Sequence, residues 1–181
     1  LVNTVVIHYH PDGFTNDIVA NDSHSVDLFT PCIQIDKTGD TLSKVGDDVN
    51  YTITVTNCSS PDTPNLICDI SDSLLGPIKN VNLASGAVDV TNTSRTVLAG
   101  DPDPLNNTAT VDCTVDGFGN KLGASDGHSV ELFQASVTID KTGDDLSKVG
   151  DDVNYTITVT NTSSPDTPNL ICDISDSLLG P

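Results

Sequence analysis

The sequence predicts an all-β protein built from tandem immunoglobulin-like β-sandwich domains with a period of 104 residues. Three observations carry the prediction. The composition suits short strands joined by turns, a long stretch of the chain occurs twice, and apolar residues alternate with a period of two.

Composition comes first. The chain has 181 residues and a formal net charge of −19, with no Met and no Trp. Of its 26 acidic residues, only Glu131 is a glutamate. Aspartate is poor in helices and good in turns, because its short carboxylate bonds nearby backbone N–H groups. Frequent Thr, Val and Ile favour strands. So acidic a chain is repelled by nucleic acid and by anionic membrane surfaces. No apolar run is long enough to span a bilayer, so no membrane insertion is expected. No secretory leader is visible, and the chain opens inside a strand-like stretch, which suggests a processed or excerpted piece.

The repeat sets the organisation. Residues 35–77 recur as residues 139–181, and only two of 43 positions differ: Thr41 becomes Asp145, and Cys58 becomes Thr162. The offset, 139 − 35 = 104, also aligns residues 1–29 with 105–133 without a gap, matching 14 of them. A period near 100 is too long for a solenoid unit and fits one whole sandwich. The expected units are 1–30, closing strands; 31–134, a complete domain; and 135–181, opening strands.

Within the complete unit, VNYTITVTN places Val49, Tyr51, Ile53 and Val55 on one face and polar residues on the other. CIQID, NLICDI, VNLASGAVDVT, TVLAG, NTATVDCTV and HSVELF supply further strands, with SVTID opening the next unit and HSVDLF closing the previous one. GDD, SSPDTPN, GDPDP and VDGFGN supply turns. Seven or eight strands in two sheets are expected.

VGDDVNYTITVTN together with DPDPLNNTATV and DGFGN resembles the conserved repeat domain of prokaryotic surface proteins known as domain of unknown function eleven. The resemblance implies tandem immunoglobulin-like modules in large secreted proteins that serve as stalks, adhesins, sheaths or filaments. It implies no enzymatic activity.

The five cysteines are read through the repeat. Cys32 aligns with Ser136 and Cys58 with Thr162, so both are cysteine in one unit and both are lost in the next. A disulfide gained or lost as a pair leaves that trace, which predicts Cys32–Cys58 and leaves Cys68 for Cys113. Cys172 is the counterpart of Cys68, and Tyr9 stands where Cys113 would. The alternatives are free thiols or zinc, but no C-x₂₋₄-C spacing occurs. Two bridges imply an oxidising, extracellular or cell-surface setting.

Lysine is scarce, yet Lys37 and Lys141 occupy one place in the repeat, Asn107 and Asn3 another, and Asp72 and Asp176 a third. A first-strand lysine can attack a late-strand asparagine to form an isopeptide bond, because burial favours the neutral, nucleophilic amine and a nearby acid polarises the amide. The expectation is a Lys37–Asn107 bond assisted by Asp72. The alternative is an ordinary lysine countered by Asp36 or Asp40.

N-x-[ST] sequons at Asn21, Asn50, Asn57, Asn92, Asn106, Asn154 and Asn161 are potential glycan acceptors, although Asn, Ser and Thr are also abundant turn and strand residues here. Asp47, Asp48, Asp101 and Asp103, and Asp151 and Asp152 in the next unit, could hold calcium or simply cap turns. No other cofactor is expected. His8 and His10 share a strand face at a metal-compatible spacing, but Asp112 and Thr114 do not repeat them. No phosphate loop, nucleophile elbow or zinc-protease motif occurs, so no enzyme is expected.

These observations point to a structural subunit of an extracellular filament, sheath or stalk, self-associating head to tail. Its opening and closing pieces either meet between neighbouring subunits by strand complementation or join through a segment of a longer array. The alternative is an adhesin module that binds a glycan or host protein. Only 4% of the residues are aromatic, which gives such a surface few anchors.

Overall fold

The computed structural model describes residues 1–119, 121–178 and 180. Among them, strands supply the regular structure, as the Thr/Val/Ile-rich composition dictates. β1 (Val2–Tyr9) and β2 (Ile18–Ser25) form a hairpin. β3 (Ile33–Gly39), β4 (Leu42–Ser43), β5 (Asp48–Asn57), β6 (Leu66–Asp72), β7 (Gly76–Leu83), β8 (Val88–Thr96), β9 (Leu105–Val115) and β10 (Lys121–Leu132) follow. β11 (Val137–Gly143) and β12 (Tyr155–Asn161) form a second hairpin.

β3 to β10 build two sheets, ordered β4-β10-β9-β6-β7 and β3-β5-β8. Neighbours are antiparallel except β4, which runs parallel to β10 through Leu42↔Glu131 and Ser43↔Leu132. Strands one, three and six of this series share one sheet and the rest share the other, which is an immunoglobulin-like sandwich.

The core forms where period-two faces meet. Ile53 and Val55 of β5 are buried with Leu66, Cys68 and Ile70 of β6 and with Ala109, Val111, Cys113 and Val115 of β9, while Val49 and Tyr51 are buried in a second cluster with Val97, Leu105, Val130 and Leu132. Each fully buried branched side chain contributes about 1.5–3 kcal/mol of apolar transfer free energy.

Four expected strands differ. Residues 81–91 do not run straight through: β7 stops at Leu83 and β8 starts at Val88. The turn between them needs Gly86, whose φ is +77°. Past Thr96, which ends β8, TVLAG is not a strand, because Leu98 N–H donates to Asp101 Oδ2 at 2.7 Å and folds the chain back after Val97. β10 begins at Lys121, seven residues before the expected HSVELF. Its early part hides in the sequence because Gly123 has no side chain. A Cβ there would fall 2.9 Å from Asp112 Oδ1 and 3.0 Å from the Val111 carbonyl oxygen. HSVDLF keeps only His24 and Ser25 in β2. Its counterpart stays in β10 because Glu131 and Leu132 pair with β4, and among the described residues no such strand lies beside Asp27 and Leu28. Asn120 of the expected VDGFGN turn lies outside the described residues.

Arg95, at the end of β8, makes a bidentate pair with Asp101, at 2.6 and 2.7 Å. The Arg95 guanidinium, with the Leu98 N–H, holds the Asp101 carboxyl below its ordinary 3.8 against the opposing effect of burial. A depressed carboxylate stabilises above its unfolded value and loses that contribution as pH falls through the folded one. Arg95→Ala is therefore expected to cost about 1–3 kcal/mol at pH 7, with the difference from wild type shrinking below pH 3.8. Urea titrations at pH 7 and in acid check this; an equal difference at both would refute it.

The flanking hairpins copy the central registers. Val2↔Ser25 and Tyr9↔Ile18 in β1–β2 correspond to Asn106↔Ser129 and Cys113↔Leu122 in β9–β10. Val137↔Asn161 and Gly143↔Tyr155 in β11–β12 correspond to Ile33↔Asn57 and Gly39↔Tyr51 in β3–β5.

Candidate functional site

Alternation along three strands delivers polar groups into the space between the sheets. On β3, Lys37 lies on the same face as Ile33 and Ile35 and is buried. On β6, Asp72 follows Leu66, Cys68 and Ile70 on the inward face. On β9, Asn107 sits inward between Leu105 and Ala109. Asp72 pairs with Ala109 across the sheet, so Asn107 is two residues further along the same face. The three residues expected to form the clamp are thus gathered from both sheets.

Lys37 Nζ and Asp72 Oδ2 form a direct ion pair, and both side chains are fully shielded from solvent. Asp72 Oδ1 accepts from the Leu74 and Leu75 N–H groups at 2.9 and 3.1 Å, which fixes the carboxylate's orientation. The alternative in which Lys37 is countered by Asp36 or Asp40 is not what the structure shows: Asp36 faces outward on β3, and Asp40 accepts from Asn50. The Lys37 backbone N–H donates to Asp126 Oδ2 of β10 at 2.8 Å, tying β3 to the other sheet.

Asn107 is held by Ser73, whose Oγ donates to Asn107 Oδ1 at 3.0 Å and accepts from the Thr108 N–H at 2.9 Å. The Asn107 amide nitrogen is buried and has no hydrogen-bond partner, and the same is true of Tyr51 Oη. The amide still bears on the phenol, although neither atom makes a hydrogen bond. Burial pushes the Tyr51 phenol up, the Asn107 amide opposes this, and the Asp72 charge adds to it. The Tyr51 ring lies 4.4 Å from Lys37 Nζ. Leaving a buried amide unpaired costs about 1–3 kcal/mol, so this one asks for an explanation.

Sequence reasoning misses Tyr51 and Ser73 as members of the site. Alternation marks Tyr51 only as a core residue, and Ser73 recurs as Ser177 but within a stretch that repeats nearly whole. Tyr51 recurs as Tyr155 in a chain with three tyrosines, which is the available signal.

The cysteines pair as Cys32–Cys58 and Cys68–Cys113, with Cα separations of 4.9 and 4.0 Å. Cys172 is unbridged and exposed. Across the β11–β12 hairpin, Thr162 Oγ1 donates to Ser136 Oγ at 2.9 Å, a hydrogen bond in the place of the Cys32–Cys58 bridge.

Six of the sequon asparagines are exposed: Asn21, Asn50, Asn92, Asn106, Asn154 and Asn161. Asn57 is a correction. It is fully buried, its Nδ2 donates to the Leu83 carbonyl at 2.9 Å, and its Oδ1 accepts from the Ser59 N–H at 3.0 Å. A glycan has no room there. Asp47 pairs with Lys44, Asp48 accepts from Thr96, Asp101 pairs with Arg95, and Asp103 accepts from the Leu132 N–H. Asp151 pairs with Lys148. No group of three or more metal-ligating side chains occurs among the described residues. His8 bonds Asp17 at 2.8 Å, and His10 lies past the end of β1. His128, in β10, bonds the Asp40 carbonyl at 2.9 Å.

No protein-family model matches the chain, and no curated protein does. Among solved structures, the chain is similar to the CARDB domain of a Pyrococcus furiosus protein, crystallised in complex with di-metal ions. The identity is 16% and the TM-score 0.37, over 56% of this chain and 93% of that one. The immunoglobulin-like assignment rests on the strand order and registers given above.

Proposed function

We propose that this chain is a structural module of an extracellular filament, sheath or stalk, in which a Lys37–Asn107 isopeptide bond locks the two sheets together. The observation that supports it is the buried Lys37–Asp72 pair set beside a buried Asn107 whose amide nitrogen has no hydrogen-bond partner. That nitrogen is the leaving group of the reaction, which accounts for its lack of a partner.

The chemistry uses only these side chains. Asp72 takes a proton from the Lys37 ammonium. The freed Nζ attacks Asn107 Cγ, while Ser73 Oγ–H holds Oδ1 as negative charge develops there. The Asp72 acid hands its proton to the departing Nδ2 and takes a second proton from Nζ. One C–N bond forms, one breaks, and ammonia leaves. Shielding from water keeps the amide from being hydrolysed instead.

Two disulfides fit the same role, since they persist outside the cytoplasm. The excess of aspartate keeps such modules soluble. The test is intact mass after reduction: the protein is expected to be lighter than its sequence by about 17 Da for this bond, with Lys37 and Asn107 in one branched peptide. A sequence-predicted mass with Lys37 as a free amine would refute the clamp.

A further inference from the structure

We infer that Tyr51 is a further catalytic residue of the Lys37–Asn107 reaction, its hydroxyl oxygen accepting a hydrogen bond from the Asn107 amide nitrogen as that nitrogen departs. This deepens the clamp chemistry proposed above and rests on it.

The phenol stands against both reacting residues. Tyr51 points inward from β5, is 1% exposed, and its ring centre lies 4.4 Å from Lys37 Nζ. The ring also meets the His128 ring edge-on, with 6.1 Å between centres. His128 is paired directly with Asn107 across β10 and β9. Leu105, two residues before Asn107 on the same face of β9, is buried in one cluster with Tyr51. One aromatic side chain is thus bracketed by the nucleophile and by the neighbours of the residue it attacks.

Packing does not account for the hydroxyl. A phenylalanine would fill the same space and keep its ring over the ammonium. The hydroxyl adds a buried polar atom that, like Asn107 Nδ2, has no hydrogen-bond partner. An unpaired atom of this kind weakens the resting fold. Two such atoms beside one reacting bond have a common explanation if they become partners in the transition state and not before it.

The electronic structure of the amide supplies the reason. In the resting side chain, as in a peptide bond, the nitrogen lone pair is delocalised into the carbonyl and the N–H groups are held in plane. Attack by Lys37 Nζ makes Cγ tetrahedral and ends that delocalisation. Once Asp72 has handed over its proton, Nδ2 carries three hydrogens and a positive charge. Charged N–H donors bond an uncharged oxygen strongly in a dry site. Tyr51 Oη has a lone pair free to accept one of them. Burial pushes the phenol up, which keeps it uncharged. Tyr51 gives up no proton, and ammonia leaves as before.

The test is Tyr51→Phe, which removes the oxygen and keeps the ring. The 181-residue wild type and the variant are isolated unfolded in urea and refolded by dilution under oxidising conditions. Intact mass is followed after reduction, so that only ammonia loss registers. Wild type is expected to lose one ammonia as Lys37 joins Asn107. Tyr51→Phe is expected to form the same bond at least about 10-fold more slowly, as for one hydrogen bond to a charged group lost from the transition state. In the unreactive Asp72→Asn background, adding Tyr51→Phe is expected to leave the urea midpoint unchanged or raised, because the deleted oxygen has no partner in the resting fold.

Equal rates for wild type and Tyr51→Phe overturn this inference and leave the clamp standing. A slower Tyr51→Phe whose midpoint also falls in the Asp72→Asn background assigns the hydroxyl to packing and overturns it too. Wild type that refolds and never loses ammonia overturns instead the clamp reading on which the inference rests.

Discussion

Asp72→Ala is expected to leave the Lys37–Asn107 bond unmade and to destabilise the sandwich by about 3–5 kcal/mol or more. Three losses combine. Lys37 is fully shielded between the sheets, so removing its counter-charge strands an ammonium there. The Leu74 and Leu75 N–H groups lose their acceptor. The covalent link between residues 37 and 107 also constrains the unfolded chain, and a loop of that length is worth about 4 kcal/mol in the entropic treatment of cross-links. Asp72→Asn separates these contributions. Its carbonyl can still cap Leu74 and Leu75, but it cannot take the Lys37 proton. It is expected to keep the full sequence mass and to be less destabilised than Asp72→Ala. Chemical denaturation alongside intact mass measures both. A bond formed at wild-type yield in either variant would remove Asp72 from the reaction.

The two disulfides are expected to differ sharply. Cys68 and Cys113 are core residues directly opposite each other on β6 and β9, and their bridge spans 45 residues. Replacing both with alanine is expected to cost about 4 kcal/mol, from lost chain constraint and from the cavity left between the sheets. Cys32 and Cys58 are half-buried, and their bridge spans 26 residues. The chain itself shows how that bridge can be replaced, since Ser136 and Thr162 take the two places and bond each other. Cys32→Ser/Cys58→Thr is therefore expected to cost about 2 kcal/mol, with mild reductant opening this bridge while Cys68–Cys113 survives until unfolding. Thermal melts of the two double variants and timed thiol labelling would decide. Equal losses, or the core bridge reducing first, would contradict the account.

Much of this is legible in the amino-acid sequence, for a physical reason. Val49, Tyr51, Ile53 and Val55 alternate against polar neighbours, and a half-buried strand is the reading that fits this pattern. The repeat exposes the disulfides, because a cross-link must be lost at both ends. It also exposes Lys37, Asp72 and Asn107 as recurring polar residues. What stays hidden depends on contacts between distant segments. Gly123 and Gly127 carry no side chain to show that β10 starts early. Gly86 breaks an apolar run that reads as one strand. Asn57 looks like any sequon, and only the Leu83 carbonyl and the Ser59 N–H reveal that it is interior. Tyr51 looks like a core aromatic, and only its place against Lys37 makes it part of a site.

The parallel pairing of β4 with β10 has a mechanical consequence. Glu131 N–H bonds the Thr41 carbonyl and Phe133 N–H bonds the Ser43 carbonyl, both at 3.0 Å. These strands lie near opposite ends of the sandwich sequence and run the same way. With no cross-link ahead of β4, tension applied at residues 31 and 134 would peel β3 from β5 and then slide β4 along β10 in shear. Their hydrogen bonds would then share the force and break together, where an antiparallel pair pulled from its open end would unzip one bond at a time. The Lys37–Asn107 bond proposed above lies ahead of β4 in the chain, so once it forms, tension entering at residue 31 passes through it to β9 and leaves the β4–β10 pair unloaded.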